Sequence, residues 1–182
     1  MRANRDKITK ALDEYQAALA INGDARAFEL LYKRWHPRLL RFAYRLTASE
    51  EEASDVMQEA AMTIAKNINR LESPASFPAW AYTIVRRRAG DHIQSIVRQR
   101  KIKTAISKEP VLTPGLDTEQ TLALSQALDA LCDDDRALLT LFYIENMTGT
   151  ELSTVMGIPI GTIKSRLFAA RSKLKSIYEA AD

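Results

Sequence analysis

Thr148-Gly149-Thr150-Glu151-Leu152-Ser153-Thr154-Val155-Met156-Gly157-Ile158-Pro159-Ile160-Gly161-Thr162-Ile163-Lys164-Ser165-Arg166-Leu167 is the stretch on which the reading of this chain turns. Thr148 and Glu151 have capping-box spacing, in which each side chain satisfies the other's backbone N–H at a helix start. Leu152, Val155 and Met156 give a short helix one apolar face, and Gly157 is a natural left-handed stop. After the turn, Ile163, Leu167, Ala170, Leu174 and Ile177 recur at helical spacing. A short capped helix, a Gly-centred turn and a second helix predict a helix-turn-helix. Leu152, Val155, Ile158, Ile163 and Leu167 would join the two helices. That leaves Thr162, Lys164, Ser165, Arg166, Phe168, Arg171, Ser172 and Lys175 facing outward.

This outward face suits a DNA major groove. Arg and Lys reach phosphates or guanine edges, Ser and Thr donate to phosphate oxygens, and Phe can meet a thymine methyl. The helix N-terminus itself favours a phosphate. The plainer alternative is a basic helix that is simply solvated. Charge distribution favours the groove. Over 182 residues the net charge is only +3, but Glu119 to Ile160 holds one basic residue against seven acidic, and Gly161 to Lys175 holds five basic and no acid. A compact basic stripe on an acidic module points to a polyanion at one face.

Working outward, the rest of the chain also reads as helices. With only six Gly and six Pro, an all-β fold is disfavoured. Ile8, Leu12, Tyr15 and Leu19 predict the buried face of a first helix. A second follows from Asp24 as N-cap, with Phe28, Leu31, Trp35, Leu39, Phe42 and Leu46; Pro37 should kink or split it. Ser49-Glu50-Glu51-Glu52 reads as a capping box. It opens the clearest stripe, Ala53, Val56, Met57, Ala60, Ile64, Ile68 and Leu71. Glu72 to Ser76 is a loop, and a fourth helix holds Trp80, Ala81, Ile84, Val85, Ile93 and Ile96, with Gly90 a weak point. Residues 99–118 lack a sustained period and are expected to be a flexible linker between domains at 1–98 and 119–182. The second domain opens with Leu124, Leu128 and Leu131 on one face, and Asp133-Asp134-Asp135 should cap the helix that follows.

The residues exclude several functions. One cysteine, Cys132, permits neither an intrachain disulfide nor a Cys-based zinc site, and it reads as buried filler. His36 and His92 have no ligand spacing. No Gly-rich phosphate loop or nucleophile–base pattern suggests catalysis, so no cofactor, metal or enzymatic activity is expected. No apolar run approaches the roughly 18 residues of a membrane span, and the N-terminus lacks a signal-peptide core, so a cytoplasmic protein without membrane insertion is expected.

At Gly157 to Leu167, with Gly, Pro, Gly-Thr, Ser-Arg and Arg171 in register, the sequence resembles region 4 of the extracytoplasmic-function (ECF, group 4) sigma factors of bacterial RNA polymerase, within the sigma-70 family. Ser153, Gly149 and Cys132 depart from that family's common residues. Gly23-Asp24, Ala27-Phe28, Leu31-Tyr32, Ala53-Ser54-Asp55-Val56-Met57-Gln58-Glu59 and Phe77-Pro78-Ala79-Trp80 through Arg86 resemble region 2. The resemblance implies an all-α fold of two small helical domains. It implies a polymerase-binding face at Glu52, Asp55, Gln58 and Glu59 for the clamp helices of the largest subunit, with the polymerase flap as a further partner. It also implies a −35 contact through Thr162, Lys164, Ser165, Arg166, Phe168 and Arg171. A −10 contact is implied at Ser73, Ser76, Phe77, Trp80, Arg86 and Arg87, where aromatics and cations could hold unpaired bases. Arg87 stands where many relatives carry Asn.

Two other readings stay open at this point: a sigma-like decoy that sequesters an anti-sigma factor, and an ordinary helix-turn-helix repressor. The decoy would not need the recognition-helix cations, which this chain keeps, and the repressor leaves residues 1–98 unexplained. For a sigma factor, control by an anti-sigma factor is expected. The chain would be compact with that partner and more open on polymerase.

Overall fold

The computed structural model describes residues 2–102 and 119–180, and the described residues form eight α-helices and two short 3-10 turns. The expected linker residues 103–118 lie outside them, whereas residues 99–102 are helical.

The first half is a four-helix assembly of α1 (Arg2–Ile21), α2 (Ala25–Thr47), α3 (Glu50–Asn67) and α4 (Phe77–Ile102). Asp24 caps α2 by accepting the Ala27 N–H at 2.9 Å, and Ser49 caps α3 by accepting the Glu52 N–H at 3.3 Å. Ala48 closes α2 in the left-handed region, its N–H returned to Tyr44 O. The α3 stripe is buried as its spacing predicts, through Ala53, Val56, Met57, Ala60 and Ile64, then Ile68 and Leu71 in and after the 3-10 turn Ile68–Arg70. Phe42 and Tyr82 meet edge to face at 5.1 Å in the centre of this core.

Two expectations fail here. Pro37 neither splits nor ends α2, which runs unbroken from Ala25 to Thr47. The ring lies on the exposed side of the helix, where water can serve the carbonyl that loses its partner. In α1 the apolar stripe faces outward. Ile8, Leu12 and Tyr15 are exposed, and the buried face is Asp13, Gln16, Ala17 and Ala20. The reason is Arg34 of α2, which donates to Asp13 and, at 2.9 Å, to Gln16, so that a polar pair fixes the rotation of α1. The small alanines beside it allow close approach.

The second half comprises α5 (Glu119–Asp129), α6 (Asp133–Tyr143), α7 (Gly149–Met156) and α8 (Ile160–Glu179). Asp133, Asp134 and Asp135 form the first turn of α6 rather than its cap. Cys132 occupies the cap position without a side-chain cap bond, and it is exposed rather than buried. A carboxylate in the first helical turn still opposes the positive end of the helix dipole.

The halves pack on one another, α4 against α7 and α2 against α6. Arg136, buried in α6, donates to Leu128 O (3.2 Å) and Asp129 O (3.0 Å) at the end of α5, to Leu131 O (2.9 Å) in the turn after it, and to Arg45 O (2.8 Å) near the end of α2. Glu145, after α6, receives two bonds from Arg38, at 2.9 and 2.6 Å, and the Arg38 guanidinium lies 4.2 Å over the Trp35 ring. Burial, followed by the charge of Glu145, pushes the Tyr82 phenol far above its usual value, so it stays protonated beside this pair.

Arg136→Ala should lower stability by about 3 kcal/mol or more, since it strands buried carbonyls from two helix ends. Pro37→Ala should raise it by about 1–3 kcal/mol, since alanine restores the N–H that the Lys33 carbonyl lacks and favours the helix. Urea denaturation monitored by circular dichroism measures both.

Candidate nucleic-acid interface

The helix-turn-helix forms as its residues dictate. Thr148 Oγ1 accepts the Glu151 N–H at 3.3 Å, and Glu151 returns an acceptor to the Thr148 N–H at 2.8 Å. Gly157 ends α7 at φ 68°, a conformation that favours glycine. Ser153, one of the departures from the common pattern, donates to Ile158 O at 2.6 Å and so ties the turn back to α7. Leu152, Val155, Ile163 and Leu167 are buried between α7 and α8, and Ile158 is half-buried at the turn.

That packing sets the outward face of α8. Thr162, Lys164, Ser165, Phe168 and Arg171 are exposed, Phe168 to 70%. Such exposure of an aromatic on a basic helix is what a contact to base edges requires. Ser165 donates to Thr162 O (3.0 Å) and Arg171, through Nε, to Leu167 O (3.2 Å), so both are oriented along the helix. Arg166 is different: it is partly buried, with Nη1 3.8 Å from Asp134 of α6. A second tie to α6 positions the same helix. Lys173 Nζ donates to Asp135 at 2.6 Å. Burial opposes ionisation of Asp135 most strongly of any one influence, but the bonds from Lys173 and Cys132 and the charges of Lys173 and Arg166 together outweigh it and hold the carboxyl below its usual value.

The acidic face of α3 is also assembled. Asp55, Gln58 and Glu59 are exposed and Glu52 is half-buried on the side of α3 away from the core. Met62, 61% exposed, lies one turn beyond Asp55–Glu59 on the same side. Sequence reasoning missed it, although an apolar residue in the polar stripe was the available signal.

The arginine triplet diverges, as consecutive helical residues must. Arg86 Nη2 donates to Asp134 of α6 at 2.7 Å and Nη1 to Val155 O at 3.4 Å. Arg87 is exposed. Arg88 turns back to α3, donating to Thr63 at 3.0 Å and lying 3.6 Å from Glu59. Of the other residues expected at the single-strand site, Ser73 and Ser76 are exposed on the loop with the 3-10 turn Pro74–Ser76, and Trp80 is half-buried. Phe77 corrects its expectation as a stacking platform. It is 1% exposed and meets Trp35 edge-on at 6.0 Å, so its ring is a wall of the core and has no free face for a base.

Among the described residues no group of His, Cys, Asp or Glu gathers that could hold a metal, and no helix is long and apolar enough to cross a membrane.

Comparison with known proteins places both halves. Sigma-70 region 2 matches residues 31–99, and Sigma-70, region 4 matches residues 121–174. The chain is similar to the RNA polymerase sigma-H factor of Pseudomonas aeruginosa, 26% identical over 92% of this chain and 94% of that protein. It is 30% identical to the ECF RNA polymerase sigma factor EcfG of Rhodopseudomonas palustris, over 78% of this chain and 79% of that one. Its fold matches that of the sigma factor RpoE of Bartonella quintana, solved in complex with the anti-sigma factor NepR, at a TM-score of 0.71, 23% identity, and 85% and 98% coverage.

The lowered Asp135 carboxyl gives a pH prediction. Its contribution is present in full above the unfolded-state value of about 4 and is lost as pH falls through the lower folded-state value. Asp135→Asn should cost about 1 kcal/mol near neutral pH, since Lys173 is solvent-screened, and should flatten the acid limb of a stability–pH curve from urea titrations.

Proposed function

The chain belongs to the sigma-70 family as a sigma factor of the extracytoplasmic-function type, and from that premise we propose how its surfaces divide the work of starting transcription. One observation carries the proposal: a single chain presents an exposed acid–amide stripe on α3 and, in a separate helix-turn-helix, an exposed cationic and aromatic face on α8.

Residues 1–98 dock on the core polymerase and capture the −10 strand. Residues 119–182 read the −35 duplex. Asp55, Gln58 and Glu59, with Glu52 at the margin, meet cationic groups on the clamp helices of the largest polymerase subunit; exposed acids make such docking fast and specific. On α8, Lys164, Arg166 and Arg171 bind phosphate or guanine, Thr162 and Ser165 donate to phosphate oxygens, and Phe168 touches a thymine methyl. At the −10 element, Ser73, Ser76, Trp80, Arg86 and Arg87 serve the unpaired strand, with Trp80 as the available ring and Phe77 supporting it from the core. Arg87, exposed and cationic, favours phosphate over base reading. Work beside the polymerase places the protein in the cytoplasm, and an anti-sigma factor is the proposed source of control.

Transcription with core polymerase on a promoter library tests the reading: a defined −35/−10 pair should emerge, and its absence would reject it. Asp55→Lys with Glu59→Lys should abolish core binding in a pull-down while the chain stays folded by circular dichroism, with about 1 kcal/mol or less lost where Glu59 faces Arg88. Lys164→Ala should cost about 1–3 kcal/mol at one base position if it reads a base. If it holds phosphate, it should weaken all sequences alike and reduce the salt slope by about one.

A further inference from the structure

Asp134 stands between two arginines that the proposed function gives to DNA. Its Oδ1 accepts from Arg86 Nη2 at 2.7 Å, and its Oδ2 lies 3.8 Å from Arg166 Nη1. Arg86 comes from α4 of the first half and Arg166 from the recognition helix of the second, so one carboxylate gathers a cation from each. A carboxylate that bonds one guanidinium and pairs in charge with a second at 3.8 Å offers them what a backbone phosphate would. We infer that Asp134 is an internal stand-in for a DNA phosphate, which holds the two halves closed and masks one DNA-binding arginine of each.

The inference rests on the DNA roles proposed for Arg86 and Arg166. Its geometry stands apart from them. The Asp134 side chain is 48% exposed, so an incoming phosphate can reach its partners and exchange with it. The closing contact does not depend on Asp134 alone. Glu145, with a side chain only 6% exposed, pairs with Arg38 across the same junction, and Arg136 reaches Arg45 O. These deeper contacts set the register of the halves; Asp134 is the part of the junction that shares ligands with DNA. A guanidinium held by Asp134 cannot also hold a phosphate in the same geometry. Closure and DNA binding therefore compete, and each weakens the other by the same factor.

The test uses the full chain, with dyes at Lys66→Cys and Ala180→Cys on a Cys132→Ser background. Asp134→Asn should lengthen the mean dye separation. It should also raise the affinity of the free chain for a mixed-sequence DNA duplex about two- to fivefold at low salt, the scale of a partly exposed charge pair. Adding Arg86→Ala or Arg166→Ala to Asp134→Asn should remove the gain. Glu145→Gln touches no DNA residue and should also lengthen the separation, which keeps the closure test available if Asp134→Asn does not fold. An unchanged separation in both variants overturns the closure. An Asp134→Asn chain that opens but binds the duplex no better overturns the masking. The separation needs neither polymerase nor promoter. A chain that opens on Asp134→Asn yet supports no transcription would reject the sigma function and retain the clasp. One that transcribes yet neither opens nor binds better would reject the clasp alone.

Discussion

The guanidinium of Arg136 is a charge nine-tenths buried, so its donors must be met by acceptors from the chain. The acceptors are backbone carbonyls at the end of α5, in the turn that follows it, and near the end of α2, where helices leave carbonyls without partners. One side chain thus satisfies orphan groups of two helices in different halves. This fixes the start of α6 against the end of α2, and most of the functional geometry is measured from there. Asp134 and Asp135 precede Arg136 on the same turn. The first reaches Arg86 and Arg166, and the second reaches Lys173, so the recognition helix is hung from α6 at two points. At the other end of α6, Glu145 locks onto Arg38.

Seen this way, the acidic run between Glu119 and Ile160 is not a solvated surplus. Asp134, Asp135 and Glu145 each meet a cation carried by α2, α4 or α8, and Glu151 closes the cap of α7. The segment supplies internal counter-charges to cations of α2, α4 and α8, among them arginines proposed to meet DNA. A sigma factor must not scatter over the excess of non-specific DNA in a cell, and cations matched by internal carboxylates bind phosphate less readily than free ones. Lys164 and Arg171 on α8 and Arg87 on α4 are exposed, so the DNA contacts proposed for them need no rearrangement.

The face proposed for polymerase follows a different rule. Asp55, Gln58 and Glu59 stand on the helix with the clearest apolar stripe in the chain, so their orientation is set by the burial of Val56, Met57 and Ala60 between them. A docking surface on such a rigid element costs little ordering when the partner arrives.

Local chemistry made much of this visible from residues alone. The cap of α3, the capping box of α7, the left-handed Gly157 and the faces of α3 and α8 all depend on groups within a few positions of one another, and such interactions are written into short stretches of chain. The misreadings share the opposite property. The apolar residues of α1 predict a buried face, yet Arg34 rotates Asp13 and Gln16 inward from the next helix. Cys132 looks like filler until the α5–α6 corner places it outside. Phe77 looks like a base platform until Trp35 closes over it. The junction of the two halves rests on pairs separated by 48, 91 and 107 positions, and nothing in the pattern of either half announces its partner. The residues alone set the helices, the caps of α2, α3 and α7 and the two outward faces, because these need only neighbours along the chain. The tertiary structure alone decided which arginines are already engaged, because a charge chooses its partner by distance in space.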